Sequence, residues 1–436
     1  MADRRVAITG LGVVTPAGIG MPDFWQGLLQ GRQSVKPISG FDASKFSCNL
    51  AGELTDFSAR NYVPKDYRKA VKVMARDIEI AVAAADLAFR DSGIVTKGID
   101  PANTTIDSAR LGCNIGAGLI CSDLDELGAA VVTSLDNGKF SLKLWGENGM
   151  NNLTPLWLLK YLPNMLSCHV TIIHAAEGPS NCITCGDASG CLAIGEAASY
   201  ISRGAADVAI AGGAESKLNP MGLLRQGMLQ RLCTDGKFTP SEICRPFDAD
   251  HCGTIIGEGG GLVILEDLDR AKARGAKIYA ELVGFGAACD PEGIDVLKPN
   301  SGSLNLSVKK AIKAAGISAD QIGMVLTHGT AVPGEDAAEV IAWQNALGDH
   351  AARVASVAMT GAMGSLFAGA GGVSVATAAM ALASQVVPPT VNFSKSAANC
   401  QMNFSNQARQ AKIDYAVVGS FTVGGQSGAC VLKRYQ

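Results

Sequence analysis

The segment Asp207-Val208-Ala209-Ile210-Ala211-Gly212-Gly213, followed later by Gly259-Gly260-Gly261-Leu262-Val263-Ile264-Leu265, is written a second time near the C-terminus. There it reads Asp414-Tyr415-Ala416-Val417-Val418-Gly419-Ser420, then Gly424-Gly425-Gln426-Ser427-Gly428-Ala429-Cys430-Val431-Leu432. Each half also carries a strand pattern, a glycine turn and an Ala-rich helical stretch, over 182–200 in the first and 354–383 in the second. Self-similarity on this scale predicts a duplicated α/β unit with halves at 1–266 and 267–436. The first half takes an insertion of about 117–170 as a cap. No Pro/Ser-rich or charged tract separates the halves, so they are expected to pack against each other.

Apolar runs of four to six residues alternate with longer segments of helical period, the pattern of α/β layers with buried parallel strands. Strands are predicted over 6–10, 111–116, 208–213, 262–266, 280–284, 323–327, 354–358, 415–419 and 429–432, and helices over 77–92, 189–203, 303–315, 337–347 and 372–384. Glycine supplies 51 of the 436 residues, well above its usual share of about 7%, which suits many tight strand-to-helix turns. With 47% hydrophobic and 18% charged residues, the chain can bury a large core of small aliphatic side chains.

Lys and Arg total 37 against 40 Asp and Glu, a formal net charge of −3. No basic block stands ready to neutralise a run of phosphates, so nucleic acid is not an expected partner. The run Val6-Ala7-Ile8-Thr9-Gly10 is too short for a signal-peptide core, and no 18-residue apolar stretch is free of Gly, Ser or polar interruption. A cytoplasmic protein without membrane contact is expected. The thirteen cysteines are scattered over Cys48 to Cys430 and read as reduced, buried small residues. Cys182, Cys185 and Cys191 cluster, but no second Cys-x-x-Cys or paired His follows at ligand spacing, so no metal is expected.

Two places carry chemistry. Gly186-Asp187-Ala188-Ser189-Gly190 opens a helix directly after a short strand. Such an elbow presents a side chain beside free backbone N–H groups, where acyl-transfer enzymes place a nucleophile and an oxyanion hole. His328-Gly329-Thr330 follows a predicted strand, a position from which an imidazole reaches a site at the strand ends or is simply a satisfied core residue.

With these residues in view, the chain resembles a β-ketoacyl-acyl-carrier-protein synthase of the elongating type. The resemblance runs through Gly12-Val13-Val14-Thr15-Pro16, Gly178-Pro179-Ser180, Gly212-Gly213-Ala214-Glu215, Arg245-Pro246-Phe247-Asp248, Gly257-Glu258-Gly259, His328-Gly329-Thr330 with Asp336 and Glu339, and Val387-Pro388-Pro389-Thr390. It implies a thiolase-like, duplicated five-layered αβαβα fold, no cofactor, an acyl carrier protein as partner, and a dimer. In that dimer the strand just before the elbow pairs with its mate.

The departures from the family pattern bear on function. The family's nucleophilic cysteine lies seven residues after the Gly-Pro-Ser serine, and counting seven from Ser180 reaches Asp187. Cys185 stands two residues early and reads as structural. Thr360 occupies the place of the family lysine, Ser365 that of its second histidine, and Val423, between Thr422 and Gly424, that of its gating phenylalanine. His251-Cys252-Gly253 stands for an Arg-Asp-Gly. Claisen condensation needs a thiolate to accept the acyl group and two imidazoles to polarise the malonyl thioester. Acylation of Asp187 would instead give a mixed anhydride, higher in energy than the donor thioester.

The reading preferred from sequence is a catalytically silent subunit like the chain length factors, forming a heterodimer with an active ketosynthase. Two others stay open: a malonyl carrier-protein decarboxylase, which a carboxylate at 187 opposes unless it is protonated, and an active synthase using Cys185 after a local shift. A thiolase-like enzyme acting on coenzyme A esters fits the Arg-Pro-Phe-Asp and Gly-Pro-Ser stretches less well.

Overall fold

The computed structural model describes residues 4–293 and 302–436. In chain order its principal elements are β1 (Val6–Thr15), α1 (Arg76–Ser92), β2 (Leu111–Gly116), β3 (Ser180–Ile183), α2 (Ser189–Ser202), β4 (Val208–Ser216) and β5 (Ile256–Asp267). The series then starts again with β6 (Ala280–Cys289), α3 (Gly302–Ala315), β7 (Ile322–Leu326), α4 (Pro333–Leu347), β8 (Ala355–Val357), α5 (Ala370–Ser384), β9 (Tyr415–Phe421) and β10 (Gln426–Arg434). Apart from α4, the second series repeats the order of the first.

Hydrogen bonding repeats too. The strands run β3-β2-β4-β5-β1 and then, in mirrored sequence, β6-β10-β9-β7-β8. In each half three strands are parallel and the last two antiparallel, and the halves join through the antiparallel pair β1 and β6. Helix α1 covers the outer face of the first half-sheet, with Ile78, Ala81, Ala85 and Phe89 in the core. Helices α3 and α4 cover the outer face of the second, with Leu304, Val308 and Trp343. Between the half-sheets lie α2 and α5, which touch strands of both halves. That is the αβαβα layering. Most of α5 faces protein: the span Phe367–Ser384 is long and apolar enough to cross a membrane, yet it is 78% buried as the central helix.

The central helices cross very closely where they begin. A Cβ on Gly190 would stand 2.6 Å from the Ala368 carbonyl oxygen, and one on Gly371 would stand 2.5 Å from the Cys191 amide nitrogen. No side chain fits at either position, so the two helix starts are held backbone against backbone.

Three readings from sequence need correction. Several strands outrun their predicted ends; β5 begins at Ile256 rather than 262, because its glycines are packed closely against neighbouring backbone, Gly257 against Met363 and Gly261 against α5, and do not form a turn. A Cβ at Gly261 would lie 2.5 Å from Val373 N. Helix α4 starts at Pro333, four residues before the prediction, since proline at the first helical position is already set at helical φ and has no N–H to lose. Finally, the cysteines are not all reduced. Cys233 and Cys252 form a disulfide.

Candidate active site

The elbow is a 3-10 turn, Gly186–Ala188, leading from β3 into α2. It is held from both halves. Ser189 Oγ donates to the Gly186 carbonyl at 2.6 Å and accepts from Cys185 N at 2.8 Å. From just beyond β9, Thr422 Oγ1 donates to the Cys185 carbonyl at 2.6 Å and accepts from Ala188 N at 3.1 Å, and from within β9, Ser420 Oγ donates to the Asp187 carbonyl at 2.9 Å. Cys185 thus lies after the strand with its backbone fixed, and burial pushes its thiol pKa up. A poorly ionised thiol on a fixed backbone is a weak nucleophile.

Asp187 is buried, and its Oδ2 meets two basic side chains. His328 Nε2 lies 3.3 Å away and Arg231 Nη2 3.4 Å away. Burial alone would raise the carboxyl pKa, but the hydrogen bond from His328 and the charges of Arg231 and His328 outweigh it and hold Asp187 at about 2. Burial likewise works against a charged His328, yet the hydrogen bond and charge of Asp187 raise its pKa above the usual value. Each partner thus favours the charged form of the other.

His328 sits just past β7, two N–H bonds fixing the turn: His328 N donates to Glu339 Oε1 at 2.7 Å and Gly329 N to Glu339 Oε2 at 2.8 Å. The indole of Trp343 donates to Glu339 Oε1 at 3.0 Å. Thr360 is buried with its hydroxyl on the Gly329 carbonyl, so it braces the histidine turn. Ser365 is buried and lies in backbone contact with β5, its N–H donating to the Ile255 carbonyl at 2.8 Å and its own carbonyl accepting from Gly257 N at 2.8 Å. Asp187, His328, Thr360 and Thr422 are thus linked in one constellation, whereas Ser365 is placed by backbone bonds to β5. Val423 and Gly424 occupy the loop between β9 and β10 beside Thr422.

Sequence reasoning missed Arg231 and Glu335. Arg231 forks onto Glu335, Nε to Oε1 at 2.8 Å and Nη2 to Oε2 at 2.9 Å, while the same Nη2 reaches Asp187. The three residues are scattered over the chain, and no local pattern joins them. Next to the elbow is a cavity of about 640 Å³ lined by Gly118, Leu119, Thr184, Gly186, Lys217 and Gln226, among others. Asp187 is not on its wall. A carboxylate paired with two basic side chains is a weakened nucleophile towards an acyl thioester, because attack spends charge that those pairs hold.

Comparison with known proteins returns one family for both halves. Residues 3–271 match the model described as "Beta-ketoacyl synthase, N-terminal domain" and residues 279–394 its C-terminal counterpart. The chain is 33% identical over 434 residues to the "3-oxoacyl-[acyl-carrier-protein] synthase 2" of Synechocystis sp., covering 99% of each. It is 33% identical over 436 residues to the protein of that name from Vibrio harveyi, covering 100% of this chain and 99% of the other. Among solved structures, "The ishigamide ketosynthase/chain length factor" is similar with a TM-score of 0.84 and 26% identity, covering 100% of both chains.

Proposed function

We propose that this chain, which belongs to the β-ketoacyl synthase family, is a subunit that does not itself condense, and that it works beside an active ketosynthase in fatty-acid or polyketide synthesis in the cytoplasm. The observation that carries this reading is Asp187 at the elbow, held as a carboxylate by His328 and Arg231. Attack of that carboxylate on a carrier thioester would expel a thiolate and leave a mixed anhydride, an uphill and hydrolysis-prone product. With Ser365 and Thr360 where an imidazole and an ammonium would assist decarboxylation, His328 is left as the sole imidazole of the set.

The decarboxylase reading loses ground because Asp187 is held ionised rather than protonated. A malonyl carboxylate arriving at the elbow would meet a like charge. The reading that Cys185 acts as nucleophile is opposed by the raised thiol pKa.

A chain-length role fits the surface as well. Strand β3 is an edge strand with Ser180 and Asn181 exposed, and the 117–170 insertion exposes Leu135, Phe140, Leu142, Leu156 and Leu158. Open strand edges and grouped apolar side chains are what a partner subunit covers. The test is twofold. Incubation of the chain alone with acyl and malonyl carrier proteins is expected to leave no covalent adduct by intact mass and no ketoacyl product. Co-expression with a synthase that keeps its Cys-His-His set is expected to give a heterodimer whose product length shifts when bulky residues enter the insertion. Product from the chain alone, or a homodimer that ignores every active synthase offered, would overturn the reading.

A further inference from the structure

Arg231 links a residue of the cavity wall to Asp187. Its Nη1 donates to Gln226 Oε1 at 3.3 Å, and Gln226 lines the cavity, as Gly186 does. Its Nη2 reaches Asp187, and Nε with Nη2 grips Glu335 on α4 of the other half. One guanidinium therefore touches the cavity wall, the elbow carboxylate and the opposite half at once.

The backbone beneath it is equally constrained. The helix Pro220–Met228 ends just before it, and Gln230 turns the chain at φ 54°, in the left-handed region. Thr254 N then donates to the Arg231 carbonyl at 2.7 Å, Cys233 N donates to the Thr254 carbonyl at 2.9 Å, and the Cys233–Cys252 disulfide closes the same two segments together. A guanidinium on a fixed backbone, forked onto a buried carboxylate, is held in one geometry.

From this we infer that Arg231, anchored on Glu335, is a bolt that keeps the Asp187 side chain away from the cavity beside the elbow. A thioester-bearing chain lodged in the cavity would reach Gly186 and Gln226, with Arg231 behind Gln226, and would stop short of Asp187. Resting on the silent-subunit reading, the bolt makes Arg231 a positioning residue that excludes acyl groups.

Access is measured by giving the elbow a reporter. In an Asp187→Cys chain, alkylation of position 187 by iodoacetamide is followed by peptide mass from pH 6 to 10. The rate at the high-pH plateau reports access to the thiolate, and the midpoint reports its ionisation, so the loss of a neighbouring cation is not mistaken for opening. Adding Arg231→Ala is expected to raise the plateau roughly tenfold or more, as for removal of a local barrier. Glu335→Gln should raise it less, and Arg225→Ala, on the cavity wall, should leave it unchanged. Equal plateaux with and without Arg231 overturn the bolt. If circular dichroism shows that Arg231→Ala does not fold, Glu335→Gln decides the matter, an unchanged plateau counting against the proposal. These rates involve no ketoacyl product, so the bolt and the silent-subunit reading stand or fall on different measurements.

Discussion

The turns that lead into the two central helices share a backbone form: Gly186–Ala188 runs as a 3-10 turn into α2, and Phe367–Gly369 runs as one into α5. Their chemistry is reversed. The first carries Asp187, whose carboxylate meets His328 of the second half. The second has Ala368 at the corresponding place, and its N–H donates to a carboxylate of the first half, Glu215 Oε2, at 2.8 Å. Edges differ in the same way. Strand β8 is fully buried, Ser356 N donating to the Asn403 carbonyl at 3.1 Å, while β3 is half exposed. The backbone of each turn is set by the glycine crossing of the central layer, and the chemistry by the side chains placed on and around it. A fold built this way can exchange its chemistry without being rebuilt.

The largest expected effect tests whether one side chain governs the first turn. Asp187→Cys alone should give no ketoacyl product, although its thiol becomes alkylatable, because each missing donor to the developing oxyanion costs about 10²–10³ in rate. The triple change Asp187→Cys, Ser365→His and Thr360→Lys is the comparison, assayed for adduct and product. Full activity in the single variant would mean that the rest of the pocket had kept its catalytic geometry.

The equivalence of the two turns is sharpened by Gly190→Ala and Gly371→Ala. Each forces a methyl group against backbone, and each should cost about 3 kcal/mol in urea denaturation. A large inequality between them would break the comparison.

Acid and base act on the halves from opposite sides. Because Asp187 is lowered to about 2 from 3.8, its contribution, about 2 kcal/mol, is complete above pH 3.8 and lost as the pH falls toward 2. His328 is raised from 6.5, so its contribution is complete below pH 6.5 and lost as the pH rises through the folded value. Urea midpoints from pH 3 to 9 should show both slopes in the native chain, and Asp187→Asn should flatten them. Smallest is Thr422→Val, which removes the hydroxyl bonds to the Cys185 carbonyl and Ala188 N and should cost about 1 kcal/mol by the same denaturation assay.

How much of this was legible depended on whether the cause was local. The predicted strand at 208–213 lies within β4 and the predicted helix at 189–203 matches α2 to one residue, since apolar period and a glycine turn act over a few positions. The span 256–261 was misread because its glycines answer to Met363 and α5, more than a hundred residues away. For the site, spacing from Ser180 led to Asp187, and His328 was marked by its place after a strand. Arg231 and Glu335 have no such marker. Their pairing exists only once the loop after Pro220–Met228 is laid against α4, and the disulfide beside Arg231 is invisible for the same reason.

Glu339 ties the histidine turn to Trp343, whose indole N–H shares the carboxylate oxygen that accepts from His328 N. Trp343 is fully enclosed, and it is one of only four tryptophans in the chain. The protein thus carries an intrinsic fluorophore one carboxylate removed from the backbone of its histidine turn, so that a rearrangement of that turn is expected to register in indole emission without any label.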